Sequence, residues 1–126
     1  MIVVDASVLA TALGDDGPEG AEARARLRDE DLAAPEIIDL EIASVWRRTL
    51  SDRRRAELAL ADLADIPLRR APHLPLLKRC WELRHNLTPY DASYVALAEA
   101  LGVTLLTADR RLARASGIRC SVATFG

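Results

Sequence analysis

The sequence predicts an α/β fold with a mainly parallel central sheet and helices on both faces, in a single domain spanning residues 1–126. Three observations carry that expectation. Short extended runs, "MIVVD", "IPLRRAP", "VTLLTAD" and "IRCSVATF", are separated by stretches of helical periodicity. Such alternation builds βαβ units, whose parallel strands are covered on both sides. Half of the 126 residues are hydrophobic and 29% are charged, the balance of a globular domain with one core. No internal repeat or low-complexity segment breaks the chain.

Each element has a local reason. "MIVVD" is a β-branched run suited to a buried strand, and "ASVLATALG" follows it as a helix ending near Gly14. "GDDGPEG" is turn-rich, with Pro18 placed to open the next helix, where its missing N–H costs nothing. That helix, Pro18 to about Arg28, sets Ala21, Ala25 and Leu27 among charges and reads as half exposed. "DLAAPE" is a short extended piece. Glu36 to Leu50 is a strong helix, with Ile38, Ile42, Val45 and Thr49 in one stripe, and Arg53 to Ala64 is an amphipathic helix stopping before Pro67. "IPLRRAP" is a strand bracketed by prolines, which suits a sheet edge. Helices over 75–84 and 89–101 come next, the second closed by Gly102. "VTLLTAD", a short helix over 110–115 and "IRCSVATF" complete the chain.

Composition excludes several classes. The apolar runs are shorter than the roughly 18–20 residues that span a bilayer, and the start lacks a basic segment and carries a charge at Asp5. A cytoplasmic protein with no membrane partner is expected. Cys80 and Cys120 are isolated, with no histidine at metal-ligand spacing, and read as reduced thiols. The net charge of −2 removes the simplest case for nucleic-acid binding, a strongly basic domain. Lys78 is the only lysine, however, and the arginines cluster, as at Arg47–Arg48, Arg53–Arg55 and Arg110–Arg111. Arginine suits phosphate because its planar fork donates two hydrogen bonds at once, although any single cluster reads equally as a solvated helix face.

Four acids stand out. Asp5 closes the first strand and Asp109 follows "VTLLTA"; taken singly, each reads as an N-cap. Asp91 sits third in its helix after Thr88 and Pro89, where an acid reaches back to the cap amide. Yet Tyr94, Val95 and Ala98 follow it on the same side, so its carboxylate borders the core-facing stripe. Glu41 lies well inside the Glu36–Leu50 helix, with Ile37, Ile38, Ser44 and Val45 as its helical neighbours and no local ion-pair partner; a place at the surface rim is the plain alternative. If parallel strands bring these acids to one end of the sheet, where sites of such folds gather, their mutual repulsion raises their pKa values unless a cation offsets it. An all-oxygen set suits Mg²⁺ or Mn²⁺, and Mg²⁺ commonly joins carboxylates to phosphate oxygens. The chemistry implied is metal-assisted hydrolysis of a phosphodiester.

The motifs "VVDASVL", "DLEIASVWRR", "LTPYDASYVALA" and "LLTADRRL", in this order, make the chain similar to PIN domains, specifically the VapC toxin ribonucleases of toxin-antitoxin modules. The resemblance runs over nearly the whole chain. It implies a PIN-like three-layer α/β/α sandwich and a Mg²⁺- or Mn²⁺-dependent endoribonuclease with Asp5, Glu41, Asp91 and Asp109 as the acidic quartet. Asp5, Asp91 and Asp109 would hold metal, the last directly or through water, and Glu41 would orient the attacking water. Ser7 and Thr107 would support the acids, with ordinary hydroxyl capping as the alternative for both. The resemblance further implies RNA as substrate, a VapB-type antitoxin that blocks the pocket, and a toxin homodimer. Ile37, Ile38, Trp46, Leu58 and Leu60 offer surface for a partner, although core positions explain them more simply. Two departures, Ala6 where a hydroxyl is common and Leu112 where an aromatic is common, leave the quartet intact. A catalytically inactive or regulatory PIN-like RNA-binding domain is the second reading. A haloacid-dehalogenase-type phosphatase lacks its second aspartate, since position 7 is Ser7, and a receiver domain lacks its strand-end lysine, since Lys78 falls in a helix.

Overall fold

Ile2, Val3 and Val4 are buried, so the polar backbone of this first strand must be paired on both of its edges. That requirement sets it in the middle of the sheet. In the computed structural model, which describes residues 1–126, β1 (Ile2–Val4) lies between β2 (Leu32–Pro35) and β4 (Thr104–Thr107). β3 (Leu68–Ala71) and β5 (Val122–Thr124) form the edges, giving the order β3-β2-β1-β4-β5. All four pairings are parallel, with Val3 opposite Ala33 and Leu105, and Val4 opposite Leu106. The chain winds from β1 out to β3 and then crosses to β4, so the order reverses beside β1, where open α/β sheets place their sites.

Seven α-helices cover the sheet: α1 (Ala6–Gly14), α2 (Pro18–Leu27), α3 (Ile38–Thr49), α4 (Arg53–Asp65), α5 (Leu77–Glu82), α6 (Pro89–Leu101) and α7 (Arg110–Ala113). α6, backed by α5, lies over β1, β2 and β4, while α1 gathers α2, α3 and α4 into the other layer. No helix is long and apolar enough to cross a membrane. Cys80 and Cys120 are free thiols.

Several boundaries differ from the sequence expectation. "LAAP" is a full strand, because Leu32–Pro35 is sandwiched between β1 and β3 and wholly buried. The helix expected over 36–50 starts at Ile38, since the Glu36 amide is still bonded to Ala71 O at 2.9 Å as the last rung of the sheet. Thr49 is exposed, and the buried stripe of α3 is Ile38, Ile42 and Trp46. In α2 the buried face is Gly20, Ala23 and Leu27 in place of Ala21 and Ala25. The helix expected over 75–84 divides into a 3₁₀ turn at Leu74–Leu76 and α5. The last helix ends at Ala113, two residues early. Gly102 caps α6 with φ +67°, as its position suggested.

The two tryptophans part company. Trp46 is core, with its indole N–H donating to Ala10 O at 3.1 Å, whereas Trp81 is 65% exposed. Gly14 makes the Trp46 site: a Cβ there would run into the indole Nε1. Gly14→Ala is therefore expected to lower stability by about 1–3 kcal/mol, the usual range for overpacking, and to shift the buried component of tryptophan emission, both measurable in one denaturant titration followed by fluorescence.

Candidate active site

β1 ends as Asp5 leaves the sheet with extended backbone, its N–H bonded to Leu106 O at 2.9 Å. The residue occupies the N-cap position of α1, but its side chain makes no cap bond, which corrects the cap reading. Instead Oδ2 accepts from Ser7 Oγ and from Thr107 Oγ1, each at 2.7 Å. A hydroxyl has one proton to donate and lone pairs to accept with. Both hydroxyls use them: Thr107 Oγ1 accepts from the Asp109 amide at 3.0 Å, and Ser7 Oγ from the Ala108 amide at 3.1 Å. The turn after β4 is thereby strapped to the end of β1. Asp5 is only 7% exposed and Thr107 is fully buried. Oδ1 of Asp5 keeps no hydrogen bond from the protein.

Asp109 does behave as a cap. Its Oδ1 accepts from the Arg111 and Leu112 amides at 2.9 and 3.3 Å, and its Oδ2 lies 3.7 Å from an Arg111 guanidinium nitrogen. Asp91 shows half of the capping pattern: Thr88 Oγ1 accepts from the Asp91 amide at 3.2 Å, while the return bond, from the Thr88 amide to the Asp91 carboxylate, is not formed. The half-buried carboxylate is free to face the other acids. Burial pushes its pKa up, the charges of Asp5 and Asp109 add to the rise, and the Thr88 hydroxyl and Arg111 oppose it.

Because α3 begins at Ile38, Glu41 sits in its first turn, not well inside the helix. Its carboxylate is no cap: Oε1 accepts from Tyr94 Oη at 2.5 Å. Tyr94 is fully buried, and its phenol is pushed far above the ordinary range, first by burial and then by the Glu41 bond and charge. Burial raises the Glu41 pKa; the Tyr94 hydrogen bond opposes that rise, and Asp5 and Asp91 strengthen it. Sequence reasoning put Tyr94 only on the core side of α6. The missed signal was chemical: a buried tyrosine hydroxyl must find an acceptor, and Asp91 one turn earlier marked which way that face points.

The fold thus sets Asp5, Glu41 and Asp91 within reach of one another's charge, with Asp109 acting on Asp91. None of Asp5, Glu41 or Asp91 belongs to an ion pair. The acids do not close up on their own: no three carboxylates, imidazoles or thiols stand as a ready metal cage. The donor set still suits a hard divalent cation, being all oxygen, with Asp5, Glu41 and Asp91 outside any ion pair and Oδ1 of Asp5 free of hydrogen bonds. Ser7 and Thr107 stand where they fix the first acid.

The family model described as "PIN domain" matches residues 2–118. Ribonuclease VapC1 of Mycobacterium tuberculosis is 44% identical over 125 residues, covering 95% of this chain and 94% of that protein. Ribonuclease VapC9 of the same species is 44% identical over 127 residues, covering 97% and 96%. Among solved structures, DNA-bound VapBC from Salmonella typhimurium superposes with a TM-score of 0.70 at 14% identity, covering 99% of this chain and 98% of that one. At that identity the likeness speaks for the fold alone.

Raised carboxyl pKa values make stability depend on pH. Glu41 and Asp91 bind protons more tightly folded than unfolded, so their contribution is full when they are protonated and is lost as pH rises from the ordinary carboxylate range through the raised values. In chelator-treated protein, Asp91→Asn is expected to gain more melting temperature over wild type at pH 7 than at pH 4, as calorimetry at the two pH values would read. Tyr94→Phe removes the one bond that favours ionised Glu41, so an NMR titration of the Glu41 carboxyl carbon should move further upward in pH.

Proposed function

The chain belongs to the PIN-domain family, within its VapC ribonucleases, and from that premise we propose that it is a Mg²⁺- or Mn²⁺-dependent endoribonuclease toxin, acting in the cytoplasm and inhibited by a cognate VapB-type antitoxin. One observation carries the catalytic part. Asp5, Glu41 and Asp91 lie within reach of one another's charge with Asp109 acting on Asp91, and the first three belong to no ion pair in the chain. A cation from outside is what their charge calls for.

In this reading Asp5 and Asp91 would hold the cation, Asp5 having an oxygen free of hydrogen bonds and Asp91 a carboxylate that no cap bond occupies. Asp109, with Oδ1 committed to amides, contributes Oδ2 directly or across a water. When bound, the metal supplies Lewis-acid stabilisation of phosphoryl oxygens and eases deprotonation of water. Tyr94 pins one oxygen of Glu41, leaving the other to orient a water and take its proton; a raised pKa suits a base working near neutrality. Thr107 and Ser7 hold Asp5 against rotation.

The partner part rests on relatives. Membership of the VapC ribonucleases is what suggests an antitoxin for this chain; VapBC from Salmonella typhimurium and a toxin-antitoxin complex from Klebsiella pneumoniae share its fold. A homodimer carrying that antitoxin is the assembly we propose. Leu40, Leu58 and Leu60 are left exposed on α3 and α4 and offer apolar surface for a partner, whereas Ile38 and Trp46 are core. The lack of a ready cage favours, as the second reading, an RNA-binding domain without cleavage.

Purified wild type should cut single-stranded RNA with Mg²⁺ or Mn²⁺ and not with chelator. Asp5→Asn and Asp91→Asn are expected to abolish cleavage and relieve growth arrest on expression; undiminished cleavage by Asp91→Asn would sink the assignment. Thr107→Val should cost about 10–100-fold in metal affinity or rate, the usual price of losing a ligand's support, while Asp109→Asn, which keeps its cap acceptor, should lose less than Asp5→Asn.

A further inference from the structure

Beside the acids lies a groove that the proposed chemistry leaves unassigned. It has a volume of about 360 Å³, within the range of small-ligand clefts. One wall is the turn between α5 and α6, carrying Arg84, His85, Asn86 and Thr88; the other is α7, carrying Arg111; Asp91 joins the lining and so connects the groove with the acids. We propose that this groove binds a backbone phosphate of the RNA next to the bond being cut, with Arg84 and Arg111 as its ligands. The inference rests on the ribonuclease reading above and adds where the strand runs.

Charge is the first reason. Arg55, Arg70 and Arg79 are matched with Asp16, Asp39 and Glu99 in two-pronged pairs at 2.7–3.2 Å. Arg84 has no acidic partner, and Arg111 meets Asp109 only at 3.7 Å while remaining 85% exposed. Guanidinium groups left unmatched beside a carboxylate site are what an incoming polyanion requires. They offset the repulsion between RNA phosphates and the acids, and they bind two phosphate oxygens at once.

Order is the second reason. Arg84 is held, not loose: one guanidinium nitrogen donates to Trp81 O at 2.9 Å and the group stacks on the Trp81 ring, 4.6 Å from its centroid. That uses one face and one nitrogen and leaves the other donors free. The wall behind it is fixed as well. Leu83 is buried, Asn86 Nδ2 donates to Ser116 O at 3.0 Å, and Gly117, at φ +88°, packs against Leu83 and Asn86. A ligand here meets a cation whose ordering cost is already met by the fold.

The test uses the full-length protein with Arg84→Ala, Arg111→Ala and the double variant, and Arg53→Ala on α4 as control. Binding is read in chelator with a mixed-sequence, fluorescein-labelled single-stranded RNA across a salt series, and cleavage in Mg²⁺ with the same RNA. Each groove variant should weaken binding by about tenfold, the size of one charge-assisted bond. Each should also lower the salt slope by about 0.7, the value for one phosphate contact on a single strand, with KM raised, kcat little changed, and Arg53→Ala unchanged. Unmoved RNA constants in the double variant overturn the proposal. They do so equally if only antitoxin binding is lost, which would give the groove to a protein partner. Failure of the wild type to cleave RNA under any divalent metal defeats the ribonuclease reading instead, and the binding series in chelator still decides the groove.

Discussion

Crowding of like charge is the constraint around which this molecule is arranged. A parallel sheet that reverses beside β1 delivers Asp5 from β1 and Asp109 from the turn after β4 to the same end, and α3 and α6 add Glu41 and Asp91. Carboxylates so placed repel, and burial alone would neutralise them. Each acid is offset by a different neutral donor. Asp5 has two hydroxyls, Asp109 two helix amides, Glu41 a buried phenol and Asp91 the Thr88 hydroxyl, yet burial and the neighbouring acids still raise the pKa values of Glu41 and Asp91. Asp91 is also the acid that lines the groove of Arg84 and Arg111.

The Ser7–Asp5–Thr107 network does more than hold one side chain. Its outer ends accept the Ala108 and Asp109 amides, so the position of the last acid depends on the hydroxyls that grip the first. α6 plays a similar double part: its first turn presents Asp91, and one turn later its buried face sends Tyr94 to Glu41 on α3. Two supports therefore fix four acids, and damage to either is felt at more than one of them. A residue that never meets substrate, such as Thr107, becomes functionally expensive in this arrangement.

What the sequence made legible follows from which features are local. The strands and helices near Asp5, Asp91 and Asp109 announce themselves by β-branched runs, a Thr88–Pro89 start and a Gly102 stop. α3 starts two residues later than its periodicity suggests because its true limit is set by a distant strand: Glu36 still belongs to the sheet through Ala71, and nothing within residues 31–41 reveals that partner. "LAAP" carries little strand propensity of its own and becomes a strand by being enclosed on both edges. The cap on Asp5 failed for the same reason: its hydroxyl partner Thr107 is a hundred residues away in sequence, and a paired, buried oxygen outweighs a helix amide that α1 can leave to other acceptors.

The division of arginines completes the electrostatic logic. Around the rim, Arg55, Arg70 and Arg79 each meet a carboxylate in short, two-pronged contacts that tie elements together. Had one of them reached the central acids, the pair would have satisfied both charges and left nothing to attract a cation or to bind a polyanion. Neutral hydroxyls, amides and a phenol steady the acids without cancelling them. The site therefore keeps carboxylates free of ion pairs in a partly buried place, at a cost to stability that grows as Glu41 and Asp91 ionise. The residual charge is the functional quantity: the fold holds it unspent for a metal, and sets two arginines nearby so that RNA can approach in spite of it.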